Sequence, residues 1–204
     1  MKKCCAWIVA LLCLIGCGEA KQGEAQPDST PAAEKIVQKD KTLTNEQEQE
    51  AFAALPEWFR EAFKKQQLQH RYSLGTWMQP NFLTGDFDGD QKEDVAFLAV
   101  NMGSGEKGLI ILHQDAGNSY SVFGAGNEFE EMRDMDWIGI LEKVEAGETV
   151  VPTLVDEETG DILGEDTANA VLLKADAVFL HQKEACGGGI IYKKDKHYNW
   201  LTIE

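Results

Sequence analysis

The sequence predicts an α+β fold in which N-terminal helices pack on a mainly antiparallel β-sheet domain. Three observations lead there: a helical pattern confined to residues 44–67, a series of short β-like runs from Tyr72 onward, and turn residues in nearly every gap between those runs. Thr44-Asn45-Glu46-Gln47 reads as a capping box, with the Thr44 hydroxyl facing a glutamine three residues on, and a helix is predicted through about Ala54. Pro56 interrupts it. Proline is tolerated in the first turn of a helix, so a second helix is predicted from near Pro56 to about Gln67. Trp58, Phe59, Ala62 and Phe63 recur there at spacings of three and four and form one apolar stripe, read as core packing.

The predicted strands are 95–100, 109–113, 120–123, 137–143, 149–155, 170–173, 177–180, 189–192 and 198–203. Leu109-Ile110-Ile111-Leu112 is apolar throughout, the pattern of a central strand covered on both faces. Tyr198-Asn199-Trp200-Leu201-Thr202-Ile203 alternates, the pattern of a strand with one solvated face.

The N-terminal end reads as a leader. Met1-Lys2-Lys3 precedes an apolar run from Cys4 to Ile15, and Leu14-Ile15-Gly16-Cys17 closes it before the chain turns polar. A basic start, an apolar stretch of this length and a small residue before the cut fit an export signal, and the stretch is too short for a confident membrane span. Leu at −3, a small residue at −1 and Cys at +1 resemble the lipobox of bacterial lipoproteins. That resemblance implies cleavage before Cys17, acylation of its thiol and attachment to the bilayer of a bacterial envelope. Gly18 is not the aspartate that retains such proteins at the inner membrane, so in a Gram-negative cell the resemblance implies the outer membrane. The expected organisation is a signal peptide over 1–16, a disordered tether over 17–43 and a β-rich domain with its helical segment over 44–204. Ile36, Val37 and Leu43 are the only aliphatics larger than alanine between residues 18 and 43, too few to offset chain entropy by burial.

Charge narrows the partners. The formal net charge is −16, and because Lys2 and Lys3 lie in the leader and no acidic residue does, cleavage would shift it to −18. Nucleic acid is excluded as a partner on this ground, since phosphate binding requires a positive surface. Anionic lipid would repel the chain too, so acyl groups rather than a basic patch must hold it at a membrane. Of the five cysteines, Cys17 and Cys186 alone would survive cleavage, and with Cys17 acylated no intramolecular disulfide is possible. Cys186 reads as a buried free thiol.

The chemistry-bearing segment is Asp86-Phe87-Asp88-Gly89-Asp90-Gln91-Lys92-Glu93-Asp94, with aspartates at positions one, three, five and nine, directly before the apolar run Val95–Val100. Such carboxylates repel one another unless a cation sits among them. Ca²⁺ takes six to eight oxygens, more than Mg²⁺ with its rigid octahedron and retained waters, and is the first candidate. An EF-hand is excluded, because Gln91 and Phe97 stand where that loop needs Gly at six and Glu at twelve. Gly85-Asp86-Phe87-Asp88-Gly89-Asp90-Gln91-Lys92-Glu93-Asp94-Val95-Ala96 resembles the calcium loop of the FG-GAP and VCBS repeats of integrin-like β-propellers. The resemblance implies ligation by the side chains of Asp86, Asp88, Asp90 and Asp94 and by the backbone carbonyl of Lys92. Gly89 matches the family's turn glycine; Gln91 stands where the family has another. No second copy occurs, and a full propeller, which needs several repeating blades, is not expected.

No catalytic motif is found: His70, His113, His181 and His197 each stand alone, and there is no His-Glu-x-x-His, Gly-x-Ser-x-Gly or P-loop. The expected function is a membrane-anchored, calcium-stabilised, non-catalytic envelope lipoprotein serving as a binding or structural module for an envelope protein or glycan. The alternatives are a small envelope hydrolase or thiol enzyme using Cys186 with His181 or His197, and an inhibitor of an envelope-directed enzyme.

Overall fold

The computed structural model describes residues 45–156, 158–184 and 187–203. Thr44 with its expected cap, Cys17, the expected leader and tether, and Cys186 lie outside the described residues. The elements run α1 (Asn45–Ala54), α2 (Glu57–Lys65), β1 (Tyr72–Leu74), β2 (Phe82–Gly85), β3 (Asp94–Asn101), β4 (Lys107–Leu112), β5 (Tyr120–Gly124), β6 (Ile140–Val144), β7 (Thr149–Val150), β8 (Thr153–Val155), β9 (Ile162–Glu165), β10 (Val171–Leu172), β11 (Ala177–His181), β12 (Gly188–Lys194) and β13 (His197–Thr202). Pro56 is the N-cap of α2, as its missing N–H and preset φ favour. No helix among the described residues is long and apolar enough to cross a membrane.

Every strand pair is antiparallel. One sheet has the order β1-β3-β4-β5 with β2 also on β3; a second has the order β13-β12-β11-β6; β7 pairs β10 and β8 pairs β9 as separate two-stranded ribbons. The sheets are open, and among the described residues none closes into a barrel or a propeller blade ring. Among the described residues, mainly antiparallel sheet with two short α-helices is therefore the architecture.

The period-two alternation of β3 and β4 builds the layers. Val95, Phe97, Ala99, Ile110 and Leu112 face the helices, packing with Leu55, Phe59, Ala62 and Phe63. Phe97 takes the rings of Phe59 and Phe63 edge-on at 5.1 and 5.9 Å. Ala96, Leu98, Leu109 and Ile111 face the other way, onto Leu141, Val178, Leu180 and Ile191 of the second sheet. Covered on both faces, the runs 95–100 of β3 and 109–112 of β4 are apolar at every position. The outer face of the second sheet, with Ala177, Ile190 and Tyr192, is closed by Val150 and Leu173. β13 is an edge strand whose end residues His197 and Thr202 are exposed and whose four middle residues are half-buried, Tyr198 and Trp200 against the inter-sheet core and Leu201 against the outer one, so neither face is left fully to solvent as the alternation suggested.

The strands differ from the sequence expectation in three ways. The run 149–155 is two short strands, because Pro152 lacks the N–H that a continuous ladder needs. The run 137–143 is extended only from Ile140, since Ile138 N–H closes a turn onto the Met135 carbonyl. β1, β2 and β9 were not expected. β1 and β2 are too short to display an alternation, and they exist because eight-residue β3 accommodates both along one edge, β2 opposite residues 94–97 and β1 opposite 99–101.

Candidate metal-binding loop

The loop between β2 and β3 is closed by its own carboxylates. Asp86 accepts hydrogen bonds from the Gly89 and Gln91 N–H groups at 2.7 and 2.9 Å, Asp88 from Asp90 at 3.1 Å, and Asp90 from Lys92 at 2.9 Å. These bonds turn the backbone back on itself and bring the side chains together: one carboxylate oxygen from each of Asp86, Asp88 and Asp90 lies within 4.8 Å of the others. A carboxylate has about four lone-pair sites, so each keeps capacity after its backbone bonds. An all-oxygen donor set of this kind suits a hard cation, and the acidic cluster could hold a metal ion. The Lys92 ammonium pairs with Asp90 at the exposed rim.

Two turn positions carry left-handed backbone, Gly89 at φ +84° and Gln91 at φ +66°. Glycine adopts it freely; at Gln91 the Cβ costs about 1–2 kcal/mol. Replacing Gln91 by Gly, which keeps the N–H bond to Asp86, relieves that strain against about 0.5–1 kcal/mol of added unfolded-state entropy. Gln91→Gly is expected to leave stability unchanged or raised by up to about 1.5 kcal/mol, and Gln91→Val to lower it, as urea titrations will read out.

Asp94 sits deeper than its partners. It is 1% exposed, its Oδ1 accepts from the Gln114 N–H at 3.0 Å, and its Oδ2 accepts from the Phe87 N–H at 3.1 Å and lies 3.0 Å from His113 Nδ1. A carboxylate only accepts, so Nδ1 carries the proton of that bond. Asp88 Oδ2 stands 3.7 Å from the same nitrogen. The carboxylates thus form two overlapping triads, Asp86 with Asp88 and Asp90, and Asp88 with Asp94 and His113. Asp88 belongs to both. Burial, and next the Asp94 charge, hold the Asp88 carboxyl above the usual aspartate range, so without a cation its ionisation opposes folding as pH rises through that range. Asp90 is held below the range, chiefly by the Lys92 hydrogen bond.

The second sheet also grips the loop. Phe87, 1% exposed, points into the core between the sheets. Asp176, just before β11, accepts from the Asp86 N–H at 3.1 Å and donates its own N–H to the Asp86 carbonyl at 2.8 Å. Its Oδ1 accepts from Ala146 N–H at 2.9 Å, and Lys143 Nζ stands 3.5 Å from Oδ2, the oxygen that holds Asp86. A Cβ on Gly85 would lie 2.6 Å from Asp176 Oδ2, so this close approach requires glycine. Tyr198 on β13 donates its hydroxyl to the Phe87 carbonyl at 3.1 Å and stacks beside His113. Burial, then the charges of Asp94, Asp88 and Asp86, push its phenol pKa up.

Sequence reasoning named Asp86, Asp88, Asp90, Lys92 and Asp94, and the structure places the three outermost carboxylates together. It missed His113, Asp176 and Tyr198. His113 had a readable signal: the β3–β4 hairpin pairs Val95 with Leu112, so the next position outward sets Asp94 opposite His113. Of the other histidines, His70 and His197 are exposed, and His181 Nδ1 hydrogen bonds the Gln182 carbonyl at 2.6 Å. Glu128, Glu130 and Glu131 are exposed. A cleft of 740 Å³ between the helices and β1, lined by residues including Phe52, Arg60, Phe63 and Met102, does not include the acidic loop.

Comparison of the chain with protein-family models, with curated proteins and with solved structures gives no match. What the protein does has to be argued from these residues.

Proposed function

We propose that the protein is a calcium-stabilised, lipid-anchored module of the bacterial envelope that works by binding or by bracing other components and not by catalysis. The observation that supports calcium is the position of the acidic loop: Asp86, Asp88 and Asp90 cluster at the point where Phe87, Asp176 and Tyr198 tie the first sheet to the second. A cation held there relieves the repulsion among the carboxylates and locks the joint between the sheets. In this reading Asp86, Asp88, Asp90 and the Lys92 carbonyl hold Ca²⁺, with Asp94 completing the set, as the FG-GAP and VCBS resemblance implies. The carboxylates are spent on the ion and the loop backbone, which favours a bracing role over a reactive one. Attachment follows from the lipobox-like Leu14–Cys17, with acyl chains on Cys17 compensating for a surface charge that anionic lipid repels.

Binding to the folded state alone stabilises by mass action. At the ~10⁻⁴–10⁻³ M affinities of extracellular calcium modules, about 10 mM Ca²⁺ adds roughly 1.4–2.7 kcal/mol, or about 3–10 °C in Tm. The test is calorimetric titration of Ca²⁺ into chelator-stripped protein, with thermal melts of the wild type and of the double variant Asp88→Asn/Asp90→Asn. The wild type is expected to melt higher with calcium and the variant to show no calcium-dependent rise. No heat and no shift at millimolar calcium would refute the metal assignment.

A further inference from the structure

The cleft between the helices and β1 holds a cation whose hydrogen bonding is incomplete. Arg60 of α2 lines it, and the Arg60 Nε is buried without a hydrogen-bond acceptor. Among the described residues no carboxylate forms an ion pair with this guanidinium, although Glu57 stands one turn away on the same helix. A buried N–H without an acceptor weakens a fold unless something supplies one. The cleft has room for that: its 740 Å³ lies within the range of about 300–1,000 Å³ in which ligands are held. Phe52 and Phe63, with ring centroids 5.5 Å apart, and Leu74 give it an apolar wall. Glu48, Glu57 and Glu61 line it too, none of them in an ion pair among the described residues, and Lys64 is the second cation.

These charges select the occupant. The Nε–H and a neighbouring Nη–H of arginine take a carboxylate in two parallel hydrogen bonds. Three unpaired glutamates on a chain of net charge −16 favour positive charge beside it. A simple anion meets an excess of carboxylate in this lining, and a simple cation leaves Arg60 unanswered. The end of a basic polypeptide carries both charges and an apolar side chain.

We propose that this cleft captures the carboxyl terminus of a partner protein. The terminal carboxylate sits on Arg60, the last side chain, aliphatic or aromatic, on Phe52, Phe63 and Leu74, and the basic residues just before it on Glu48, Glu57 and Glu61. The acidic loop is not part of this cleft, so the proposal stands whether or not calcium binds.

The probe is a fluorescent pentapeptide of alternating lysine and alanine that ends in leucine with a free carboxylate, titrated into the full chain in chelator. Its C-terminal amide is the control. General attraction by an acidic protein favours the amide, which carries one more net positive charge; the proposal expects the amide to bind at least about tenfold weaker. Arg60→Met removes the stranded N–H and keeps an unbranched side chain. It should bind carboxylate and amide peptides alike and melt no lower than the wild type. Glu57→Gln/Glu61→Gln should weaken both peptides and keep the preference for carboxylate. Backbone amide shifts should concentrate in residues 48–64 and 72–74. Equal or tighter binding of the amide by the wild type would overturn the proposal, as would a carboxylate preference that survives in Arg60→Met. So would tighter binding of octanoate than of the peptide, no saturation at millimolar peptide, or shifts centred on residues 86–94.

Discussion

Asp94→Ala is expected to destabilise the protein by about 3–5 kcal/mol, because it strands buried hydrogen-bond donors at about 1–3 kcal/mol each. The residue is 1% exposed and answers three donors at once, the Phe87 and Gln114 N–H groups and His113 Nδ1. Alanine leaves all of them in a dry interior without an acceptor, and His113 itself is 4% exposed, so water does not readily replace the lost oxygen. Asp94→Asn, which retains one acceptor oxygen, should cost less. Thermal melts in the presence of chelator will isolate this fold contribution from any metal effect, with a drop of about 6–20 °C expected for alanine. In a double-mutant cycle with His113→Ala the two losses should sum to less than additive, because each removes the same contact. Additive losses would show that His113 and Asp94 do not depend on one another.

Phe87→Ala is the second large effect. A buried phenylalanine truncated to alanine costs about 3–5 kcal/mol through lost transfer energy and the cavity left behind, and Phe87 belongs to the buried cluster that Ala96, Leu98 and Leu109 of one sheet form with Val178 and Leu180 of the other. Its position between Asp86 and Asp88 adds a consequence that other core truncations lack. The ring is the anchor that fixes where the acidic turn sits over the inter-sheet core, so its loss should weaken calcium binding as well as folding. Phe97→Ala makes the comparison. It empties a site of similar size on the helix side of β3, should destabilise by a similar amount, and should leave calcium affinity of the folded protein unchanged. Calorimetric titration below each variant's melting range reads the difference. Equal affinities in the two variants would mean that the loop holds its shape without the core.

The helices, most strands and the acidic turn were legible in the chain because each is written in local residue order. Pro56 and the Trp58-Phe59-Ala62-Phe63 stripe mark α2, the unbroken apolar runs mark β3 and β4, and aspartates at alternate positions mark a turn that converges on one point. β1 and β2 were not legible, since three or four residues carry no period and form strands only where β3 offers them an edge. The Asp94–His113 pair stood at the border: both strands were recognised, and only their register was missing.

Sequence alone decided the charge balance, the covered central strands and the set of carboxylates that gather in the loop, because those follow from side-chain type and spacing of two, three and four residues. Tertiary structure alone decided that the loop is the seam between two sheets. Asp176 and Tyr198 reach it from 90 and 111 residues away, and contacts at that separation depend on which sheet faces pack together, a choice made by the whole buried surface and encoded in no short stretch of the chain.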